Sequence, residues 1–179
     1  MTHTVGPDDL EAAATHVAAA LGDDGVLVGG MAVAAWGYVR ATDDIDFVAR
    51  LSATDVVERL QAAGLSSRIQ KGGGVLDDDI EWCVRGRLGD VVFDILPPLV
   101  PLRFDRAVTV RLARGSVVKV VDLDGLLRLK LKAGGPQDLL DAAQLLQKHP
   151  EMLAQMRPVA EAYGQWEQLQ DFLNDPRLR

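Results

Sequence analysis

The chain contains few of the residues that build disulfides and zinc sites. Its 179 residues include one cysteine, Cys83, and three histidines spread over positions 3, 16 and 149. A single cysteine excludes an intramolecular disulfide and a multi-cysteine metal cluster, and histidines this scattered do not suggest zinc. A bound metal is therefore expected to be a hard cation on oxygen ligands.

The chain also lacks a long hydrophobic run. No segment reaches the roughly 18 apolar residues that a membrane helix needs, and residues 1–20 carry acids where a secretion signal would carry bases. We therefore expect a cytoplasmic protein that does not associate with a membrane. The hydrophobic content of 48% is sufficient for one ordinary core.

Positive charge is scarce overall and unevenly placed. The net charge is −7, which argues against a general nucleic-acid coat protein. Residues 1–60 carry ten acids against three bases, whereas residues 103–132 carry eight bases against three acids. An acidic half facing a basic half would suit a phosphate-bearing ligand. The alternative is that both stretches are solvated faces of strands and helices.

The order of patterns predicts an α+β fold with a mixed sheet flanked by helices and a C-terminal helical cap. Helices are predicted over residues 8–21, 31–36 and 52–63, and strands over 26–28, 44–48, 80–85, 91–96, 108–112 and 117–121. Residues 86–90 are expected to form a hairpin turn, and residues 71–74 a loop. After residue 122 the pattern is helical, with breaks expected at 134–136, Pro150 and Pro158. We place an α/β core at residues 1–121 and a helical region packed on it at 122–179.

Two glycines follow the first short strand. Gly29 and Gly30 lie at a strand-to-helix turn, fourteen residues before Asp44. Glycine lets a phosphate approach the backbone closely, and the free N–H groups of a helix start are positive partners for it. Two glycines before a helix also often serve only close packing. They therefore indicate a phosphate site only when other ligand residues accompany them.

Three aspartates supply such a context. Asp44 and Asp46 project from the same face of a strand, about 7 Å apart along the backbone, and repel each other unless a divalent ion bridges them. Asp94 lies in an otherwise apolar strand, where an unpaired charge is costly. If the two strands are neighbours, the three carboxylates converge as two-metal phosphoryl chemistry requires. The alternative for Asp44 and Asp46 is that they lie on a solvated strand edge. The alternative for Asp94 is that it lies on an edge strand and is hydrogen-bonded to a turn.

This set of residues resembles a known superfamily. Gly29-Gly30, then Arg40, Thr42, Asp44 and Asp46, then Asp94 on a later strand are similar to the signature of the DNA polymerase β-type nucleotidyltransferases. The segment from Asp122 to Asp141 resembles the small bacterial AbiEii-like branch, which includes toxins of abortive-infection and toxin–antitoxin systems.

The resemblance implies a reaction and a set of ligands. The reaction would move a nucleoside monophosphate from a nucleoside triphosphate to an acceptor hydroxyl, on a tRNA end or a protein, with Mg²⁺ as cofactor and Mn²⁺ as the alternative ion. Asp44, Asp46 and Asp94 would bind the metal, and Gly29, Gly30, Arg40, Thr42 and Lys130 would hold the triphosphate. An antitoxin partner is also implied.

Two other functions remain open. The acceptor could be an antibiotic of the aminoglycoside type, since an acidic surface attracts a polycation. The chain could also be a catalytically weak nucleotide-binding or antitoxin module, because related sequences often carry bases where this one has Gly135 and Gln137.

Overall fold

The computed structural model describes residues 6–71 and 80–178, which form seven strands and seven α-helices joined by short 3₁₀ turns. The strands are β1 (Gly25–Val28), β2 (Asp44–Ala49), β3 (Ser66–Lys71), β4 (Trp82–Leu88), β5 (Val91–Leu96), β6 (Val108–Arg111) and β7 (Val117–Val120). The helices are α1 (Pro7–Leu21), α2 (Gly29–Ala35), α3 (Ala53–Ala62), α4 (Leu123–Ala133), α5 (Pro136–Lys148), α6 (Leu153–Ala162) and α7 (Trp166–Asn174). No helix in these two ranges is long and apolar enough to cross a bilayer.

The strands form one mixed sheet in the order β3-β4-β5-β2-β1-β7-β6. The pairs β2/β5 and β1/β7 are parallel, and the other neighbours are antiparallel. This arrangement confirms the predicted fold class of a mixed sheet flanked by helices, followed by a helical C-terminal region. The centre of the sheet is the β1-β2-β5 group, which also carries the glycines and aspartates singled out from the sequence.

Alternation along β2 and β5 separates a core face from a polar face. Ile45, Phe47 and Phe93 are completely buried in the hydrophobic core. Helix α1 contacts β1, β2, β5 and β7, and α3 packs against α1. The residues between these apolar positions, Asp46 and Asp94 among them, face the opposite side of the sheet because successive side chains of a strand alternate.

The local sequence explains where the helices begin and end. Pro7 opens α1, and the hydroxyl of Ser52 caps α3 by accepting a hydrogen bond from the backbone N–H of Asp55 at 3.2 Å. The carboxylate of Asp122 caps α4 in the same way, accepting from the N–H of Gly125 at 3.0 Å. Helix α4 ends at Gly134, whose φ of 65° is the left-handed value that favours glycine.

Strand β3 was not predicted from the sequence. Its residues, Ser-Ser-Arg-Ile-Gln-Lys, show no apolar alternation, because β3 lies at the end of the sheet and pairs only with β4 in the described chain. Lys71, predicted to open a loop, is the last residue of this strand. Gly72, Gly73 and Gly74, the rest of the predicted loop, lie outside the described residues.

The predicted turn at residues 86–90 is wrong in its first half. Strand β4 continues to Leu88, and Gly86 is paired with Phe93 inside the sheet. A Cβ on Gly86 would lie 2.2 Å from the ring of Phe93. The glycine makes room for an aromatic ring rather than for a turn.

The predicted break at Pro158 is also wrong. Pro158 lies inside α6, and the chain breaks instead at Gly164, where φ is 69°. Pro158 and Ala154 are both exposed, so the carbonyl group that loses its partner to the proline can bond to water. The buried Met156 and Ala160, four residues apart, keep one apolar helix face across the proline.

Hydrogen bonds connect the sheet to the C-terminal helices. The indole N–H of Trp36 donates to the carbonyl oxygen of Val121 at 3.0 Å, and the N–H of Val121 donates to the carbonyl oxygen of Leu27 at 3.1 Å. In the C-terminal region, Trp166 and Phe172 are partly buried and pack against the core, as the sequence predicted.

Candidate active site

The parallel pairing of β2 and β5 gathers the three predicted aspartates. Asp46 is the direct partner of Asp94, and Asp44 is the partner of Val92. Side chains at paired positions of adjacent strands share a face of the sheet. Asp44, Asp46 and Asp94 therefore lie on one face, at neighbouring positions of two strands that are separated by almost fifty residues of sequence.

Asp46 is the most strongly perturbed carboxyl of this group. Burial raises its pKa to about 7, with further increases from the negative charges of Asp44 and Asp94, while the positive charge of Lys130 acts in the opposite direction. Perturbed acids of this kind concentrate at functional sites. A cation bound beside Asp46 would favour its ionised form and oppose these increases.

Gly29 contacts this carboxyl directly. It begins α2 with a φ of 64°, and a Cβ at this position would lie 2.0 Å from Oδ2 and 2.9 Å from Cβ of Asp46. Both the backbone angle and the contact require glycine. The predicted phosphate turn thus packs on the central carboxylate.

We expect Gly29→Ala to destabilise the protein by about 2–3 kcal/mol, measured by thermal or urea unfolding, because it combines an unfavourable φ with a clash. Gly64→Ala is the matched control, since Gly64 has a φ of 76° and no atom within 4 Å of its added Cβ. The control should lose only about 1 kcal/mol. Equal losses in the two variants would show that contact with Asp46 is not the reason for the glycine.

Arg40 and Thr42 pack on the second glycine. A Cβ on Gly30 would lie 2.7 Å from the hydroxyl oxygen of Thr42 and 3.4 Å from a guanidinium nitrogen of Arg40. The hydroxyl of Thr42 donates to Oδ1 of Asp44 at 3.0 Å. These two predicted triphosphate-binding residues are therefore adjacent to the glycine turn and to the first carboxylate.

Lys130 belongs to a buried network rather than to the open site. Arg40 donates to both oxygens of Asp141, at 2.8 and 2.9 Å. The ammonium of Lys130 lies 2.8 Å from a carboxylate oxygen of Asp138 and 2.9 Å from one of Asp141, and Gln137 donates to Asp141 at 2.9 Å. Asp141 is completely buried. The network fastens α4 and α5 to the segment between α2 and β2.

Paired charges make this burial tolerable. Burial alone lowers the pKa of Lys130, but its ion pairs with Asp138 and Asp141 outweigh burial and the pKa is raised. For Asp141, burial raises the pKa, whereas hydrogen bonds from Arg40 and Lys130 lower it by more. Lys130 and Asp141 therefore both stay charged near neutral pH.

Asp94 has a partner that the sequence did not reveal. Arg85 of β4 holds both of its oxygens, at 2.7 and 2.6 Å. In the arrangement described over residues 6–71 and 80–178, no three acidic, cysteine or histidine side chains are placed to hold a metal ion together. The three carboxylates share a face, but one of them is engaged by a guanidinium. Arg85 and Arg87 are two residues apart in β4, so their side chains share one face of the strand. This spacing is the sequence signal that could have placed Arg85 on a polar face.

A pocket of about 470 Å³ opens over this group of side chains. Its lining includes Arg40, Thr42, Asp44, Arg85 and Asp94.

Cys83, which the sequence favoured as a core residue rather than a nucleophile, is buried. Its burial, followed by the charge of Asp94, raises its pKa to about 12.

Within the predicted basic half, Lys130 lies near the site, where its charge acts on Asp46, whereas three other bases pair with acids. Arg114 pairs with Asp8, Lys119 with Asp23 at 2.6 Å, and Arg128 with Asp124 at 2.9 Å. Two of these pairs join the basic stretch to acids of the first 60 residues. The side chains of these three pairs are exposed or partly exposed, which favours the alternative that these stretches are solvated faces of strands and helices.

The fold is that of nucleotidyltransferases. It is similar to ANT(2")-Ia, solved in complex with adenylyl-2"-tobramycin, with a TM-score of 0.58 and 12% identity over 85% of this chain and 95% of that one. It is also similar to an antigenic nucleotidyltransferase-like protein from Paracoccidioides brasiliensis, with a TM-score of 0.51 and 18% identity over 89% and 93% of the two chains. A candidate nucleotidyltransferase from H. pylori matches with a TM-score of 0.52 and 17% identity over 98% and 85%. No protein-family model and no curated protein matches the sequence.

Proposed function

We propose that this chain transfers a nucleoside monophosphate from a nucleoside triphosphate to an acceptor hydroxyl. The observation that carries the proposal is the position of Asp44, Asp46 and Asp94 on one face of β2 and β5, with Gly29 packed on Asp46. Glycines and acids that are far apart in sequence form one cluster, in the fold of nucleotidyltransferases. Such a cluster beside a backbone turn without side chains suits a triphosphate and its cation.

The donor chemistry fits Mg²⁺, with Mn²⁺ as the alternative. Carboxylate oxygens are the ligands Mg²⁺ prefers. The pKa of Asp46 is raised first by burial and then by the charges of Asp44 and Asp94, and a bound cation would favour its ionised form. Asp44 and Asp46 would be the first ligands, and Asp94 would join once its oxygens exchange Arg85 for the ion. The bound ion would neutralise the triphosphate and the charge that develops on the leaving pyrophosphate.

The remaining predicted residues would hold the triphosphate. Arg40 donates to the carbonyl oxygen of Ala41 as well as to Asp141, so its guanidinium is fixed beside Gly30. Arg40 and the hydroxyl of Thr42 are suited to hydrogen bonds with phosphate oxygens. Lys130 would contribute by its charge, which already favours ionised Asp46.

The acceptor and the biological setting are further proposals. A tRNA end or a protein remains our preferred acceptor class, within an AbiEii-like toxin–antitoxin setting that includes an antitoxin partner. An aminoglycoside is the alternative suggested by the neighbour solved with adenylylated tobramycin. A binding module without catalysis is favoured by one observation, the ion pair between Arg85 and Asp94. That pair must open before Asp94 can act.

We expect Asp44→Asn to reduce Mg²⁺-dependent transfer by at least about 100-fold, because it removes a proposed metal ligand. Transfer is measured as pyrophosphate release from each of the four nucleoside triphosphates with bulk tRNA or tobramycin as acceptor. Glu58→Gln removes the same charge from an exposed position of α3 and should leave the rate unchanged.

Calorimetry on the same samples separates a weak enzyme from a binding module. Binding of triphosphate that needs Mg²⁺ and Asp44, without pyrophosphate release, would support the binding module and contradict catalysis. Equal binding and turnover by Asp44→Asn and the wild type would contradict the site itself.

A further inference from the structure

A row of arginines continues the acidic face of the sheet. Across the four strands β2-β5-β4-β3, the residues paired in turn are Asp46, Asp94, Arg85 and Arg68. The next row on the same face, two residues away along each strand, reads Asp44, Val92, Arg87 and Ser66. One face of the sheet is thus acidic on β2 and β5 and basic on β4 and β3. We refer to Arg68, Arg85 and Arg87 as the arginine row.

The arginine row is open to solvent. The side chains of Arg85 and Arg87 are 44% and 62% exposed, and Arg68 is exposed as well. A pocket of about 510 Å³ is lined by the three arginines together with Ser66, Ser67, Gly86 and Val92. It shares Arg85 and Val92 with the pocket over the carboxylates. A ligand on the arginine row can therefore extend without interruption to Asp44 and Asp94.

The charges of this row are incompletely matched. Arg85 is paired with Asp94 on one side, but on its other side it lies directly opposite Arg68 of the neighbouring strand, where like charges destabilise a sheet. Asp90 lies 3.8 Å from Arg87, but both side chains are more than half exposed, so the pair is weak. An anion across the row would relieve the repulsion, whereas a polycation would increase it.

The geometry also separates the row from the triphosphate. Gly29 and Gly30 follow β1, which lies on one side of β2, while β4 and β3 lie on the other side, beyond β5. With strands about 4.8 Å apart, Arg68 is roughly 14 Å from Asp46 across the sheet. A triphosphate on the glycine turn does not reach that far, so the anion on the row belongs to a second molecule.

We infer that the arginine row binds the phosphodiester backbone of a single-stranded nucleic acid, whose terminal hydroxyl is thereby placed at the carboxylates. Arginine matches phosphate with paired hydrogen bonds, and a basic strip that tracks the backbone is how proteins hold single strands without reading the bases. This inference rests on the proposed function for the identity of the acceptor, and RNA and DNA offer the same backbone chemistry.

The test measures binding of labelled single-stranded RNA and DNA of about 12 nucleotides. The double variant Arg68→Ala/Arg87→Ala leaves the proposed catalytic residues and Arg85 intact. If each arginine contacts one phosphate, affinity should fall about 25-fold at 0.1 M salt, and the slope of log K against log salt should flatten by about 1.4. The double variant Arg157→Ala/Arg177→Ala removes the same charge from exposed positions in the C-terminal region and should bind like the wild type.

Three outcomes decide the matter. Loss of RNA or DNA binding in the first double variant alone supports the inference. The oligonucleotide that the wild type binds more tightly, RNA or DNA, identifies which nucleic acid the surface takes. Equal affinity in the two double variants overturns it. So does a wild type that binds no oligonucleotide but binds poly-glutamate or tobramycin. Thermal unfolding of both variants confirms that each is folded.

The outcome for the proposed function is read separately, from Mg²⁺-dependent pyrophosphate release. Arginine-dependent binding without any transfer would contradict the proposed reaction while leaving the nucleic-acid surface established. Transfer to an acceptor that is unaffected by Arg68→Ala/Arg87→Ala would contradict the surface alone.

Discussion

Asp141→Ala is expected to destabilise the folded chain by about 3–5 kcal/mol, because it leaves the buried Lys130 and the partly buried Arg40 without their shared partner. Arg40 makes two hydrogen bonds to this carboxylate and Lys130 lies 2.9 Å from it. Lys130 is only 7% exposed, so water cannot replace the lost partner. Urea unfolding at pH 7 measures the loss.

Asp138→Ala is the control for this network. Asp138 also pairs with Lys130, but its side chain is 29% exposed and Asp141 remains beside the ammonium. Its removal should cost about 1 kcal/mol. If the two variants lost equal stability, the buried carboxylate would not be the centre of the network.

The contribution of Asp141 should also depend on pH. Its pKa is lowered in the folded state. The stabilisation is therefore complete above the ordinary aspartate pKa near 4 and is lost as the pH falls through the folded value. The difference between wild type and Asp141→Ala should shrink in that acidic range.

Asp46→Asn is expected to do the opposite and stabilise the protein above pH 7. An unfolded aspartate loses its proton near pH 4, whereas folded Asp46 keeps it until about pH 7. Between these values the unfolded chain has released a proton that the folded chain still holds, so each increase in pH favours unfolding. Asparagine never ionises and removes this penalty. A separation of about three pKa units, at about 1.4 kcal/mol each, gives a gain of about 4 kcal/mol, or about 12 °C in Tm.

The pH profile is the decisive measurement for Asp46. The difference in Tm between Asp46→Asn and wild type should be small at pH 4, grow up to about pH 7 and then level off. Asp43→Asn, at the exposed residue before β2, should follow the wild type throughout. Parallel profiles for Asp46→Asn and wild type would contradict the raised pKa. A gain in stability together with a loss of transfer would show that this carboxylate is kept at the expense of stability.

Strand geometry explains why part of the site was predictable from sequence. Asp44 and Asp46 share a face in any strand, and the glycines lie at a turn in any fold that places a helix after β1. Asp94 could be identified as costly in an apolar strand. Its position beside Asp46 depends on the parallel pairing of β2 with β5, which no local pattern encodes.

The elements that sequence reasoning missed have tertiary causes. Strand β3 carries polar residues because it lies at the end of the sheet, and Gly86 is required by the ring of Phe93. Pro158 is tolerated because its surroundings are exposed. The sequence around Arg85 does not predict its partner, because Asp94 comes opposite it only through the pairing of β4 with β5. In each case the deciding factor is a neighbouring strand, the edge of the sheet or water.

The buried carboxylate of Asp141 has a consequence for any attempt to divide the molecule. Arg40 precedes β2, but its partner Asp141 lies on α5, about a hundred residues later in the chain. A fragment ending at residue 121 would keep all three candidate aspartates, yet the guanidinium beside Gly30 would be held only by the adjacent carbonyl group of Ala41. The side of the pocket proposed to bind the triphosphate is therefore complete only when α5 is folded against the sheet.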